Sequence, residues 1–190
     1  MGIVLAAAPS SAADRDGSFA VDGVGNLACA PLAELRAQPP DQSASARQAV
    51  ASWVDGFLTA ANGLVVGAFD HTPWQSAEVI AAKLAGYCRD NADMAIAMAA
   101  AGLLASLGED RLRATEELVS PRVSGRAVFV SPSTLEAVRA ALRGEGDGPG
   151  AGSTGSFDPD FSEALLAFQQ ARDLPRSGLP DAPTLVRLLG

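Results

Sequence analysis

The chain has 190 residues, 48% of them hydrophobic, enough for one or two domains with their own cores. Aromatics make up 5% and the formal net charge is −8, which excludes the aromatic platform and positive field that nucleic-acid binding relies on. No apolar run approaches the ~18 residues of a membrane-crossing helix, so no membrane span is expected.

Residues 3–8 are a short apolar run, followed by Pro9, Ser10, Ser11, Ala12, Ala13 and Asp14. Ser11-x-Ala13 is a small-x-small pattern that suits signal cleavage before Asp14, although the charged start is missing and the apolar run is short. Residues 1–13 are therefore expected to be the remnant of a secretory signal whose start lies upstream. The alternative is a plain Ala-rich terminus. Residues 14–26 are rich in Asp, Gly and Ser and are expected to be flexible.

Residues 27–35 begin a short first helix, which Gln38-Pro39-Pro40-Asp41 should stop. Ser43 is placed to cap a second helix over 44–61, with Val50, Val54, Phe57 and Leu58 on one side and Trp53 beside them. Asn62-Gly63 reads as its C-cap. Pro73-Trp74-Gln75-Ser76 opens a third helix, which continues through Val79, Ile80, Leu84, Tyr87 and Cys88. Asp70 is a candidate for its cap, and His71 is expected at the surface. A fourth, Ala-rich helix is predicted over 93–107. Gly56 is expected to let a neighbouring helix come close. Trp53, Phe57, Trp74 and Tyr87 read as packing residues.

Cys29 and Cys88 are the only cysteines. In an exported protein such a pair reads as one disulfide; in a cytosolic one it would be two buried thiols. With His71 the only histidine, a metal site is not expected.

A cysteine in the first helix, then Trp53-Val54-Asp55-Gly56-Phe57, then Pro73-Trp74, then Tyr87-Cys88-Arg89-Asp90-Asn91 resembles the small periplasmic HdeA-like helical proteins. The resemblance covers residues 27–107 and implies an all-α bundle with one disulfide between first and third helices. Ala92 stands where that family often has proline. The group includes acid-stress chaperones that bind unfolded clients. Small immunity proteins that neutralise wall-degrading enzymes are related. These activities are not carried over from so few residues.

Residues 108–118 are polar, with Glu116-Glu117 expected to be solvated. The bundle is assigned to 27–118, and 119–130 is read as a linker containing a short extended segment at 127–130.

The end of the chain carries the densest pattern. Phe161, Leu165 and Phe168 fall at i, i+4 and i+7 in a helix over 160–172. Pro175 and Gly178 interrupt it. Asp181 can cap a last helix over 182–189 with Pro183 in its first turn. Upstream, 133–143 carries Leu135, Val138, Ala141 and Leu142, with Ser131 or Ser133 as cap. Phe157, Ala164, Leu165, Phe168-Gln169, Leu174, Gly178-Leu179, Asp181, Thr184-Leu185 and Leu188 together resemble the small three-helix peptidoglycan-binding domain. Pro159 and Ser162 depart from that family's Gly and Thr, and the link over 144–155 is long and glycine-rich. Such a link costs little extra closure entropy.

The resemblance implies a domain over 131–190 that binds the glycan or stem peptide of peptidoglycan in a shallow groove. Phe157, Asp158, Gln169, Arg172 and Arg176 would lie near that groove. The two arginines suit stem-peptide carboxylates, although plain surface charge is the simpler reading of both. A three-helix module that kept its core and lost its ligand is the structural alternative.

No catalytic constellation emerges. There is no G-x-S-x-G elbow, no H-E-x-x-H and no P-loop, and no cofactor is implied. The expectation is an all-α, non-catalytic envelope protein, exported to the periplasm of a Gram-negative bacterium, with a disulfide-tied bundle followed by a peptidoglycan-binding-like domain. The rivals are a periplasmic protein-interaction or chaperone-like protein, and a regulator or immunity partner of a wall hydrolase. Both would make another envelope protein the partner.

Overall fold

A computed structural model describes Asp14, Asp16 and residues 18–35, 37–108, 111–145 and 156–190. The expected signal remnant at 1–13, residues 109 and 110, and most of the glycine-rich link lie outside the described residues.

The protein is all-α apart from one hairpin. Seven helices are seen among the described residues: α1 Cys29–Leu35, α2 Pro40–Leu64, α3 Ala77–Arg89, α4 Ile96–Ser106, α5 Pro132–Gly144, α6 Pro159–Ala171 and α7 Ala182–Leu189. The hairpin pairs β1 Arg122–Val123 with β2 Arg126–Ala127, antiparallel. There are two hydrophobic cores. Leu32, Val54, Ile80, Leu84 and Ile96 lie in the first, and Leu135, Val138, Phe161, Leu165 and Phe168 in the second.

Cys29 and Cys88 form a disulfide across 59 residues, and both are fully buried. It ties α1 to the last turn of α3 at the centre of the first core.

Several local expectations change. Helix α2 begins at Pro40 rather than after Ser43, with Pro39 as its N-cap residue. Proline at the first helical position loses nothing, because the N–H it lacks would have no partner there. Ser43 is instead buried inside the first turn, donating to Pro39 O at 2.8 Å and accepting from Arg47 Nε at 2.8 Å. The helix also runs through Asn62 and Gly63 to Leu64. Asn62 does not cap it, because its Oδ1 accepts the His71 backbone N–H at 3.0 Å.

His71 is buried, not at the surface. Its Nδ1 lies 2.8 Å from the same Asn62 oxygen. Helix α3 starts at Ala77, and its cap is Ser76, which accepts the Val79 N–H. Asp70 accepts the Thr72 N–H at 2.9 Å and forms a backbone bridge with Leu112.

Gly56 faces open space. The close approach occurs at Gly25, where an added Cβ would come within 2.2 Å of the Trp53 ring. Gly25 belongs to a short 3-10 helix, Gly23–Asn26, inside the segment expected to be flexible. Trp53 Nε1 donates to Asp22 O at 3.0 Å, and its ring stacks on Phe57 at 5.5 Å.

Residues 119–130 are a structured hairpin rather than a plain linker. Val119 and Val130 exchange backbone hydrogen bonds of 3.0 and 3.1 Å, and both pack into the second core. Trp74, which belongs by chain to the bundle, packs against that second core as well. Glu116 is engaged too: it accepts the Ser133 N–H at 3.0 Å and the Ser133 hydroxyl.

Candidate functional site

The C-terminal module is built on three capped helices. Ser131 caps α5 by accepting the Thr134 N–H at 3.1 Å. Asp158 caps α6 through the Phe161 N–H at 2.8 Å. Asp181 caps α7 through the Thr184 N–H at 3.3 Å and also takes the Thr184 hydroxyl at 2.6 Å. Each cap satisfies a backbone donor that a helix start would otherwise leave open. Proline stands at the start of each helix, where its fixed φ already suits the turn.

Phe168 and Gln169, adjacent in α6, divide the labour of the interior. Phe168 fills the core. Gln169 is fully buried, and its carboxamide holds the loop between α6 and α7. Oε1 accepts the Ser177 and Gly178 N–H groups, both at 2.9 Å. Nε2 donates to Leu179 O at 3.0 Å and Thr184 Oγ1 at 2.9 Å, with Ser177 Oγ also at 3.0 Å. Gly178 takes φ +65° in this loop, and a Cβ there would meet Ser162 Oγ at 2.7 Å. A residue expected beside the ligand groove is thus an internal support. Its polar atoms are spent on the protein itself.

The other expected site residues do not converge. Phe157 is half-buried and rests on Phe161, with centroids 5.5 Å apart. Asp158 is bound to Arg139 Nη2 at 3.0 Å. The Phe161 N–H first, and Arg139 second, hold its carboxyl below the usual carboxylate range. Arg172 pairs with Glu145 and lies 5.7 Å from the Phe168 ring centroid. Arg176 is exposed on the loop. Asp158 and Arg172 flank opposite ends of α6, about 20 Å apart at 1.5 Å per residue. Gln169 between them is turned inward, so the five do not form one cluster.

Arg139 went unnoticed in the sequence. Its side chain is 5% exposed, its guanidinium sits 4.2 Å over the Phe161 ring, and it donates to Ser156 O as well as to Asp158. The signal was present: Leu135, Val138, Arg139 and Leu142 occupy i, i+3, i+4 and i+7, which places the arginine on the apolar face of α5.

Residues 131–188 match the family model described as "Putative peptidoglycan binding domain". The match supports peptidoglycan as the ligand class of the C-terminal module. It stops short of the bundle, so the likeness of residues 27–107 to HdeA-like proteins finds no support there. No curated protein and no solved structure matches the chain.

Proposed function

We propose that this is an exported, non-catalytic envelope protein that attaches to peptidoglycan through its C-terminal module and presents the disulfide-tied bundle there. The family match over 131–188 carries this reading. The buried Cys29–Cys88 bridge suits an oxidising compartment such as the periplasm of a Gram-negative bacterium. A non-catalytic role accords with the state of His71, the one histidine: it is buried, and its ring is tied to Asn62 rather than to a hydroxyl or thiol.

Sedimentation with insoluble peptidoglycan tests the reading. The full chain is expected in the pellet, and a chain ending after residue 118, which retains the whole first core, is expected in the supernatant. Retention of both, or of neither, removes the C-terminal module as the anchor.

A second reading draws on an apolar patch at the end of α2. Leu64 is 76% exposed, Val66 96% and Phe69 49%. Such a patch suits a protein partner, whether an unfolded client or a wall hydrolase. A chaperone of the acid-stress kind would expose more apolar surface near about pH 3, read as dye binding. A bundle that stays closed there removes that version.

A further inference from the structure

Between the bundle and the C-terminal module lies a cleft of about 560 Å³. That volume lies within the range of about 300–1,000 Å³ typical of small-molecule sites, which occur preferentially at domain interfaces. Trp74 and Leu189 form its apolar wall, one from each module, and Arg111, Arg113, Glu116 and Ser133 form its polar rim.

The charge at this rim runs against that of the molecule. The chain carries −8 overall, yet two arginines stand at the cleft against one carboxylate. That carboxylate, on Glu116, already receives the Ser133 N–H and hydroxyl at the start of α5. Arg111 donates to Gly67 O at 3.4 Å and to Gly108 O. These carbonyls fix its position, and among the described residues it has no ion pair. Arg113 is exposed and has no ion pair among the described residues. Lys83, outside the residues that line the cleft, lies 5.8 Å from the Trp74 ring centroid. Elsewhere Arg139 and Arg172 are matched with Asp158 and Glu145. At the cleft, Glu116 is the one carboxylate among the described lining residues, and neither Arg111 nor Arg113 forms an ion pair among the described residues.

We propose that this cleft receives the carboxylate-bearing peptide portion of the wall ligand. Arg113 pairs with the carboxylate, Arg111 reinforces the positive field, and Trp74 with Leu189 covers the aliphatic part. A guanidinium suits this task because its planar N–H pair matches a carboxylate. The inference rests on the wall-binding reading above. It adds residues 74, 111 and 113 of the bundle to a site shared with the C-terminal module, so the bundle takes part in binding without anchoring the protein by itself.

The test is titration of the full chain with a soluble disaccharide-peptide released from peptidoglycan, alongside sedimentation with the insoluble polymer. Arg113→Glu is expected to weaken binding at least about tenfold, equivalent to about 1.4 kcal/mol. Arg126→Glu, on the exposed hairpin and given no part in either groove, is expected to stay within about twofold of the unsubstituted protein. The same ligand with its carboxylates amidated is expected to bind the unsubstituted protein as weakly as the free acid binds Arg113→Glu. That arm requires no substitution, so loss of folding cannot imitate it. If the protein pellets with peptidoglycan but is indifferent to both Arg113→Glu and amidation, the cleft assignment is wrong and the wall reading stands. If the unsubstituted protein binds neither form of peptidoglycan, both are wrong.

Discussion

Gln169 and Ser177 exchange hydrogen bonds in both directions: the Ser177 N–H reaches Gln169 Oε1 at 2.9 Å, and Gln169 Nε2 reaches Ser177 Oγ at 3.0 Å. The α6–α7 loop is therefore held from inside by one side chain. Gln169→Leu keeps the volume but leaves the Ser177 and Gly178 N–H groups without their acceptor. Each buried donor left open costs about 1–3 kcal/mol. The expected loss is about 3 kcal/mol or more, with the fastest gain in amide exchange at residues 177 and 178. A variant with unchanged exchange there would show that the loop holds itself.

Asp158 and Arg139 make a pH-dependent support. The native carboxyl is held below its ordinary value by the Phe161 N–H and then by Arg139. A depressed carboxylate stabilises the fold above its unfolded value near about 3.9, and that contribution is lost as pH falls through the native value. Asp158→Asn keeps a good cap but removes the charge facing Arg139. The expected cost at neutral pH is on the order of 2 kcal/mol. It falls short of the ~3–5 of a fully buried pair because 29% of the Asp158 side chain stays in water. The variant should also lose part of the acid sensitivity below about pH 4. Equal slopes of stability against pH would contradict this.

His71 acts in a higher window. Burial first, and Arg111 second, lower its native pKa, while Asp70 opposes them. The Asn62 oxygen is fixed by its bond to the His71 backbone N–H, so the ring nitrogen facing it, Nδ1, carries the proton of the neutral ring. The unfolded chain takes up its proton near about pH 6.5, before the native protein does. Stability therefore falls as pH drops from there and levels off below the native value. His71→Asn retains a donor towards Asn62 and should flatten denaturation midpoints between about pH 7 and pH 5. A midpoint that stays as pH-dependent as before would clear His71 of the effect.

The disulfide closes a loop across 59 residues. In the chain-entropy model, losing such a bridge costs about 4 kcal/mol. Because Cys29 and Cys88 are both fully buried, a reductant should act on the native protein only through unfolding. The expected result is a native protein stable to mild thiols and a paired Cys29→Ser, Cys88→Ser variant with a clearly lower urea midpoint. Rapid reduction without denaturant would mean that the bundle opens readily around α1.

Much of the fold could be read from the sequence where local chemistry decides it. The helices over 132–144, 159–171 and 182–189 follow from apolar spacing, and Asp181 with Pro183 announces the last of them. The pair Cys29 and Cys88 offered a bridge or two buried thiols, and the structure holds the bridge. What stayed hidden depends on partners distant in sequence. Ser43 resembles a cap until Pro39-Pro40 is recognised as the better start. Segment 18–26 looks loose because nothing local reveals that Trp53 will accept Gly25 against its ring. Gln169 looks like a surface polar residue because its five bonds reach residues eight or more positions away. The site residues were the least legible. The cleft joins residues 74, 111 and 113 to 133 and 189, which only the packing of two modules brings together.

Trp74 belongs to the first module by chain and to the second by packing. Turning one module against the other would require withdrawing an indole from an apolar surface into water. That contact couples the C-terminal core to the start of α3, which begins three residues beyond Trp74. A bend between the modules would show itself first in the environment of this indole.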